Sequence, residues 1–338
     1  MNPDRPPKPV PDFSPRGLLG SAHVQSILTS GPWRRRLVRR RAAGYLARSC
    51  RQVIETSDGT RLLGFSNQPA TEAERKNALV ILLHGWEGST DSNYLLSTAV
   101  ALDSAGFDTF RLNFRDHGQS HHLNIDLFHS CRLEEVLQAV AQLGRAYSAG
   151  PVFLVGFSLG GNFALRVARN TQRAGFSLER AIAVSPVIRP HHVLDALESG
   201  LALYQAYFVR KWRRSLKLKQ ALYPEHYELA EWFRLNDLRS QTDWLVEHQT
   251  EFPNLDAYLE GYSIAGDYLV GLETPTTIIT AADDPIIPVS DFHALPRPSA
   301  LKLELLPRGG HCGFIENWRM DSWIEQRLIQ ELWPHNHN

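Results

Sequence analysis

Short apolar runs recur along the chain, and the segments between them carry apolar residues at helical spacing. Runs of this kind predict buried strands over residues 79–83, 107–114, 152–157, 181–185, 276–282 and 301–306. Helical spacing predicts helices over residues 93–105, 131–147, 161–169 and 321–333. Strands that alternate with helices predict an α/β fold, with a mostly parallel central sheet and helices on both of its faces.

Two segments near the N-terminus do not follow this alternation. Residues 51–56 and 61–65 flank Asp58-Gly59, which predicts a β-hairpin with a two-residue turn. Residues 1–30 are rich in proline and lack a clear period, so we expect an irregular arm lying over the domain.

A third departure begins near residue 190, where the strand pattern stops. Up to residue 268 the chain is aromatic, charged and helix-like, which predicts a helical cap inserted over the strand ends. The predicted organisation is therefore an arm at 1–50 packing on the core, an α/β core at 51–189 and 269–338, and a cap at 190–268.

The strand at 152–157 ends in Gly156-Phe-Ser158-Leu-Gly160 and leads directly into a predicted helix. Gly-x-Ser-x-Gly at such a junction has the spacing of a nucleophile elbow, a strained turn that exposes the serine hydroxyl. Gly156 and Gly160 fit because a side chain at either position would collide with neighbouring backbone. We therefore predict Ser158 as a nucleophile.

A serine hydroxyl needs a histidine base, and that histidine needs an orienting acid. On this type of fold the chain order is serine, acid, histidine. Asp283 and Asp284 directly follow the strand at 276–282, and His311 lies in a glycine-rich loop after the last strand. We predict His311 as the base and Asp284 as the acid, because Asp284 fits the Asp-Pro-x-x-Pro turn better; Asp283 remains the alternative.

Acyl transfer also needs hydrogen-bond donors for the oxyanion. One candidate is the backbone N–H of Leu159, which follows the nucleophile at a helix N-terminus. The other is the backbone N–H of Trp86, in the loop that starts with His84-Gly85 after the strand at 79–83. We expect His84 itself to hold that loop by hydrogen bonding.

Composition agrees with a globular enzyme and bears on its location. The 338 residues are 43% hydrophobic, and no run is long enough to span a bilayer. Three widely spaced cysteines, Cys50, Cys131 and Cys312, argue against a disulfide framework. The first residues lack the apolar segment of a signal peptide, so we expect a cytoplasmic protein.

The net charge of zero conceals an uneven distribution. Residues 1–52 carry eleven Arg or Lys and two acids, and the run from Arg34 to Arg41 holds six arginines. We expect this run to be a solvated segment paired with surface acids; weak contact with an anionic membrane surface is the alternative. A nucleic-acid partner is not expected, and the sequence predicts no oligomeric state.

Metal and nucleotide chemistry are not expected, and neither is any cofactor. The histidine pairs His121-His122 and His191-His192 are adjacent, whereas two ligands on one helix face need i, i+4 spacing. No Gly-x-Gly-x-x-Gly follows the first strand, and no Gly-Lys-Ser/Thr phosphate loop occurs.

The motifs together resemble the YheT-like branch of the α/β-hydrolases, which is related to eukaryotic abhydrolase-domain lipases and esterases. The resemblance covers nearly the whole chain and rests on Pro11-Asp-Phe-Ser-Pro15, His23-Val-Gln-Ser-Ile27, Leu83-His-Gly-Trp-Glu-Gly-Ser89, Asn113-Phe-Arg115, Gly156-Phe-Ser-Leu-Gly-Gly-Asn162, Ala282-Asp-Asp-Pro285 and Gly309-Gly-His-Cys-Gly-Phe314. One departure is Asp116-His117-Gly118, which replaces smaller residues and is expected to alter the pocket rim.

The resemblance implies a serine hydrolase with Ser158, Asp284 and His311 as its triad, acting on carboxylic esters of short or medium acyl chains. The aromatic cap and Trp86 predict an apolar acyl pocket. Two alternatives stay open: a lipase or alcohol acyltransferase acting at membranes, and a non-catalytic binding protein of the same fold.

Overall fold

The computed structural model describes residues 12–71 and 75–333, and its centre is one eight-stranded sheet. The strands are β1 (Cys50–Glu55), β2 (Arg61–Asn67), β3 (Leu79–Leu83), β4 (Asp108–Leu112), β5 (Val152–Phe157), β6 (Arg180–Val184), β7 (Thr276–Ala281) and β8 (Leu301–Leu306). Their order across the sheet is β1-β2-β4-β3-β5-β6-β7-β8. β2 pairs antiparallel with β1 and β4, and the other neighbouring pairs are parallel, so the predicted mostly parallel sheet is confirmed.

Helices cover both faces of the sheet. They are α1 (Ala22–Ser30), α2 (Pro32–Arg41), α3 (Ala43–Ala47), α4 (Asn93–Ser104), α5 (Leu133–Ala146), α6 (Leu159–Arg169), α7 (Pro190–Ser199), α8 (Ala202–Leu222), α9 (Leu238–Gln249), α10 (Leu255–Glu260), α11 (Val289–His293) and α12 (Trp323–Leu332), with short 3₁₀ helices at Gly17–Gly20 and Trp232–Arg234.

The two faces of β3 show why the central strands are continuous apolar runs. Leu79, Ile81 and Leu83 pack in a core with α5 and α6, whereas Val80 and Leu82 pack in a second core with α4 and α12. A strand buried on both faces has no polar side to alternate with. The carboxyl ends of the parallel strands meet at one edge of the sheet, and the loops that follow β3, β5, β7 and β8 converge there.

Residues 190–268 hold helices α7 to α10 and a small apolar cluster of their own. Trp232 is fully buried in that cluster, where its indole N–H donates to the Gln241 carbonyl. Leu127, from a loop of the sheet domain, packs into the same cluster. This contact joins the 190–268 segment to the α/β part of the chain.

The hairpin turn differs from the prediction. The Thr56 amide donates to the Thr60 carbonyl, so three residues, including Asp58 and Gly59, connect the strands. Gly59 has a φ of +82°, the left-handed conformation that a three-residue loop requires at this position. The expected two-residue turn is therefore wrong by one residue.

The expectation of an irregular N-terminal segment is also wrong over part of its length. Residues 1–11 lie outside the described part of the chain, but Ala22–Ser30 form helix α1. Its inward residues are polar: Gln25, Ser26 and Thr29 are buried and hydrogen-bonded. A helix whose buried face is polar carries no apolar period for a sequence pattern to reveal.

Candidate active site

Ser158 lies at the junction of β5 and α6, in a backbone conformation that serine rarely adopts. Its φ is +55° and its ψ is −119°, which costs on the order of 1–3 kcal/mol. The turn is held by the Ser158 amide, which donates to the Val184 carbonyl at 2.9 Å, and by the Ser158 carbonyl, which accepts from Asn162 at 3.0 Å. The neighbouring strand and helix thus hold this strained turn in place.

The two flanking glycines leave no room for a side chain. A Cβ added at Gly156 would stand 2.0 Å from the Gly160 carbonyl oxygen, and one added at Gly160 would stand 2.5 Å from the His84 carbonyl oxygen. Both contacts are with backbone, so they cannot be relieved by a rotamer change. The close packing also places the turn directly against the loop after β3.

Ser158, His311 and Asp284 form one chain of hydrogen bonds. His311 Nε2 is 2.9 Å from Ser158 Oγ, and His311 Nδ1 is 2.8 Å from Asp284 Oδ2. With Asp284 ionised, Nδ1–H donates to the carboxylate and Nε2 accepts from the hydroxyl. Nε2 therefore carries the free lone pair that can take the proton of the serine.

The two neighbouring aspartates have different contacts. The Asp284 carboxylate is buried, and its Oδ1 accepts from the Ile286 and Ile287 amides at 2.8 and 3.0 Å. Asp283 Oδ1 instead accepts from the Gly310 amide at 2.9 Å. Asp284 thus contacts the imidazole, and Asp283 braces the backbone of the loop that carries His311.

The charge next to His311 governs its protonation. Burial, the largest single effect, disfavours the imidazolium, but interactions with the adjacent Asp284 carboxylate and with Cys312 together outweigh burial and raise the pKa of His311 well above its usual value. The same carboxylate that orients the ring therefore favours the protonated form of the imidazole.

Helix α1 supports the His311 loop, a contact that sequence reasoning missed. The His311 amide donates to Ser26 Oγ at 2.8 Å, and Thr29 Oγ1 donates to the Cys312 carbonyl at 3.2 Å. Gln25 donates to the Ile315 carbonyl at 2.9 Å and accepts from the Ile315 amide at 2.8 Å. Two polar residues of the motif His23-Val-Gln-Ser-Ile27, Gln25 and Ser26, are among those that contact the loop.

The loop after β3 lies against the nucleophile. A Cβ at Gly85 would be 3.1 Å from Ser158 Cβ, and the Gly85 amide donates to the Tyr94 hydroxyl at 2.8 Å. Within residues 12–71 and 75–333, the backbone amides of Trp86 and Leu159 donate to no protein acceptor. Two amides close to the serine are therefore available to a ligand.

Two buried histidines fix the shape of this loop. His84 Nδ1–H donates to the Gly85 carbonyl at 2.7 Å, and its Nε2 accepts from the Phe114 amide at 3.2 Å. His117 Nδ1–H donates to the Arg115 carbonyl, and its Nε2 accepts from the Glu87 amide at 3.2 Å. Burial lowers the pKa of His84 to about 3 and that of His117 well below its usual value, so both rings are neutral.

Helix α8 covers the same loop from the other side. The Trp86 ring stacks on Phe208 with centroids 5.2 Å apart and meets Trp212 edge-on at 5.0 Å. Lys211 donates to the Glu87 carbonyl. The result is an aromatic wall beside the serine, formed jointly by the loop after β3 and the 190–268 segment.

A buried ion pair ties α8 to the loop after β4. Lys219 Nζ donates to Asp116 Oδ1 and to the Asn124 carbonyl, each at 2.7 Å, and to the Asp126 carbonyl at 3.2 Å. Asp116 and His117 are both buried. Asp116 thus contacts α8 and His117 contacts the loop after β3, both from inside the molecule, so their effect on a pocket rim stays a prediction.

The arginine run of α2 is less solvated than expected. Arg34 is fully buried beside Glu325, 3.6 Å away, while Arg39 pairs with Asp91 and Arg41 with Asp321. Arg34 points inward because the helix has turned that position toward α12, a placement that the charge pattern alone does not give.

Two further features bear on cofactors and on the membrane. Across residues 12–71 and 75–333, no group of three or more His, Cys, Asp or Glu side chains is arranged to hold a metal ion. His121 Nε2 contacts Ser215, and His192 contacts Asp291. No helix in the described part of the chain is long and apolar enough to cross a membrane.

Residues 78–317 match the sequence model of the alpha/beta hydrolase fold family. The chain belongs to that family. The α/β-hydrolase fold predicted from the sequence is thereby confirmed. The core strands β3 to β8, the serine turn and the His311 loop all lie within the matched residues.

Two related proteins show how much of the chain the sequence similarity covers. The chain is 28% identical to "Putative esterase YheT" of Escherichia coli (strain K12), over 94% of this chain and 92% of that protein. It is 26% identical to "Monoacylglycerol lipase ABHD2" of Bos taurus, over 56% of this chain and 50% of that protein. The YheT resemblance thus covers nearly the whole chain, the N-terminal helices included.

Solved structures share the fold at low identity. The esterase Pf2001 of Pyrococcus furiosus aligns with a TM-score of 0.54 and 15% identity, over 97% of this chain and 99% of that one. Est1E of Butyrivibrio proteoclasticus, solved with ferulic acid bound, aligns with a TM-score of 0.54 and 16% identity, over 83% and 97% of the two chains. At such low sequence identities the similarity shows a shared fold and nothing more.

Proposed function

We propose that the protein is a serine carboxylesterase that cleaves esters of short- to medium-chain acyl groups through an acyl-enzyme intermediate. The observation that carries this proposal is the hydrogen-bond chain from Ser158 through His311 to Asp284. The similarity to a protein named as an esterase over nearly the whole chain supports the same reaction class.

In this mechanism Ser158 Oγ attacks the ester carbonyl while His311 Nε2 takes its proton. Asp284 holds the ring through Nδ1–H and stabilises the imidazolium. The tetrahedral intermediate collapses when His311 returns the proton to the departing alkoxide, which leaves as the alcohol. Water, deprotonated by His311, then attacks the acyl-enzyme and releases the carboxylic acid and free Ser158.

The oxyanion is the second requirement, and we assign it to the backbone amides of Trp86 and Leu159. Both lack a protein acceptor among the described residues, and both belong to segments that touch Ser158. Removing one such donor typically costs about 3–4 kcal/mol in transition-state stabilisation. His84 and His117 act through the loop, since their hydrogen bonds hold the peptides on either side of Trp86.

The aromatic wall supports an apolar acyl group. Trp86, Phe208 and Trp212 pack together beside the serine, and such a surface favours hydrocarbon over charged substituents. In this proposal the 190–268 segment is a cap that completes the acyl pocket over the α/β core.

The test is hydrolysis of a series of p-nitrophenyl esters by the wild type and by Ser158→Ala. We expect the variant to lose at least about 10³-fold in kcat while its circular dichroism spectrum stays unchanged. Activity should be higher with short and medium acyl chains than with the longest ones. Retained activity in Ser158→Ala would refute the assigned nucleophile, and no turnover by folded wild type would favour a non-catalytic binding protein.

A further inference from the structure

Helix α8 has two faces with different neighbours. Its inner face carries Phe208, Lys211 and Lys219, which contact the loops after β3 and β4. Its outer face lies in solvent, and the exposed residues there follow helical spacing: Leu203, Ala206, Arg210, Arg214, Lys217, Leu218, Ala221 and Leu222. The outer face therefore belongs to the element that covers the candidate active site.

The charge of this helix is entirely of one sign. Its 21 residues include six Lys or Arg and no Asp or Glu. Within the described ranges, none of Arg210, Arg214 and Lys217 forms an ion pair; Lys217 only lies over the Phe233 ring, 5.7 Å from its centroid. Exposed leucines flank these cations, with Leu203 at 55% and Leu218 at 45% exposure.

A groove runs beside the same face. It has a volume of about 640 Å³ and is lined by Ala206, Val209, Arg210, Arg213, Arg214, Lys217 and Asn236, with no acid among them. Arg213 is anchored to the Leu235 carbonyl at 2.5 Å and to Asn236 Oδ1 at 3.1 Å. Its Nε is buried and has no hydrogen-bond partner in the described structure.

The arginine run of α2 is a weaker candidate for the same role. Arg34 is buried, and the acids Asp91 and Asp321 already neutralise Arg39 and Arg41. On α2 half of the arginines are thus compensated by the protein itself, whereas none of the three cations on the outer face of α8 has an ion pair within the described ranges.

We propose that the outer face of α8, with its groove, docks the protein on an anionic phospholipid bilayer. The cations would contact lipid phosphates, with the groove taking a headgroup, while the exposed leucines enter the interface. In this orientation helix α8, which covers the candidate active site, lies against the bilayer, and the bilayer is a source of apolar esters. The inference rests on the proposed esterase function for its purpose, but the binding itself does not require catalysis.

The test is sedimentation of the full chain with vesicles, using Ser158→Ala so that no lipid is hydrolysed. Vesicles of phosphatidylcholine with phosphatidylglycerol are compared with phosphatidylcholine alone. The docking variant carries Arg210→Gln, Arg214→Gln and Lys217→Gln. The matched control removes three exposed arginines of α2 that have no ion pair in the described structure: Arg35→Gln, Arg36→Gln and Arg40→Gln.

Binding should require phosphatidylglycerol and should weaken as salt shortens the Debye length below about 10 Å. Loss of three surface cations should weaken binding by about 100-fold in the α8 variant, with less than about a threefold change in the α2 control. When Ser158 is left in place, the α8 variant and the α2 control should both hydrolyse a short soluble ester as the wild type does. That activity shows that the site is intact and separates failure of docking from failure of the proposed function.

Three results would overturn the proposal. The first is no binding to anionic vesicles by the parent chain. The second is an equal or larger loss in the α2 control, which would move the contact to α2. The third is binding to heparin or RNA in the absence of vesicle binding, which would make the occupant a soluble polyanion.

Discussion

The ion pair between Lys219 and Asp116 allows a quantitative prediction about how the 190–268 segment is held. The ammonium of Lys219 is fully buried, and its three protons meet three acceptors: Asp116 Oδ1 and two backbone carbonyls. Lys219→Met removes the cation and leaves the Asp116 carboxylate buried beside an apolar side chain. Breaking a buried pair in this way costs about 3–5 kcal/mol.

This cost can be converted into a melting temperature. At about 2.1 cal/mol/K per residue, the unfolding entropy of a 338-residue chain is about 0.7 kcal/mol/K, so Tm should fall by about 4–7 °C. Burial already raises the pKa of Asp116 to about 6 with Lys219 present, and removing Lys219 raises that pKa further. The loss should therefore be largest above this raised pKa, which lies above 6, and should shrink at lower pH, where Asp116 takes up a proton.

Differential scanning fluorimetry against pH measures both effects. The double variant Asp116→Asn with Lys219→Met should recover about 2 kcal/mol, because the unpaired charge is gone. A matched control is Arg39→Met, which breaks a half-exposed pair with Asp91 and should change stability by about 1 kcal/mol or less. A loss of stability in Lys219→Met no larger than in the control, or a double variant no more stable than Lys219→Met alone, would contradict this prediction.

Three more predictions concern the site itself. Asp284→Asn should lower kcat by about 10³-fold or more, because Asp284 contacts the imidazole of His311. Asp283→Asn should lower kcat less than about tenfold, because Asp283 accepts from backbone amides of the loop, such as that of Gly310; the reverse ranking would reassign the acid. The acid limb of the kcat/KM profile should have its midpoint above pH 6.5, because His311 stays protonated at pH values below its raised pKa. Asp284→Asn should move this limb to lower pH, and a wild-type midpoint below pH 6 would contradict the prediction. Gly156→Ala should abolish folding or activity, because the new Cβ would stand 2.0 Å from a backbone oxygen. The control Gly44→Ala should keep folding and activity, because no atom lies within 4 Å of the new Cβ. A folded, active Gly156→Ala would show that the turn can relax.

Much of the fold could be predicted from the chain because its signals are local. The buried strands are continuous apolar runs, and the turn at Ser158 needs glycine on both sides in sequence. The order serine, acid, histidine is the one typical of this fold, and the parallel sheet brings the loops at its strand ends to one edge. These residues could be named without knowing any distance.

The supporting residues could not be predicted, because their partners are distant in sequence. Ser26 reaches the amide of His311 across 285 positions, and its helix hides a polar face that carries no apolar period. Lys219 looks like one more cation in a basic helix, yet it is the buried one, whereas Arg210 and Arg214 lie in solvent. Which cations turn inward depends on how α8 rotates against the core, and that rotation is set by packing.

The most direct test of the central claim is covalent labelling with a fluorophosphonate, followed by mass spectrometry of the peptides. We expect one adduct on Ser158, and labelling at least about 100-fold slower in a folded His311→Ala variant, which lacks the base. An adduct on another residue, or no labelling of well-folded wild type, would contradict the assignment of Ser158 and His311 as nucleophile and base.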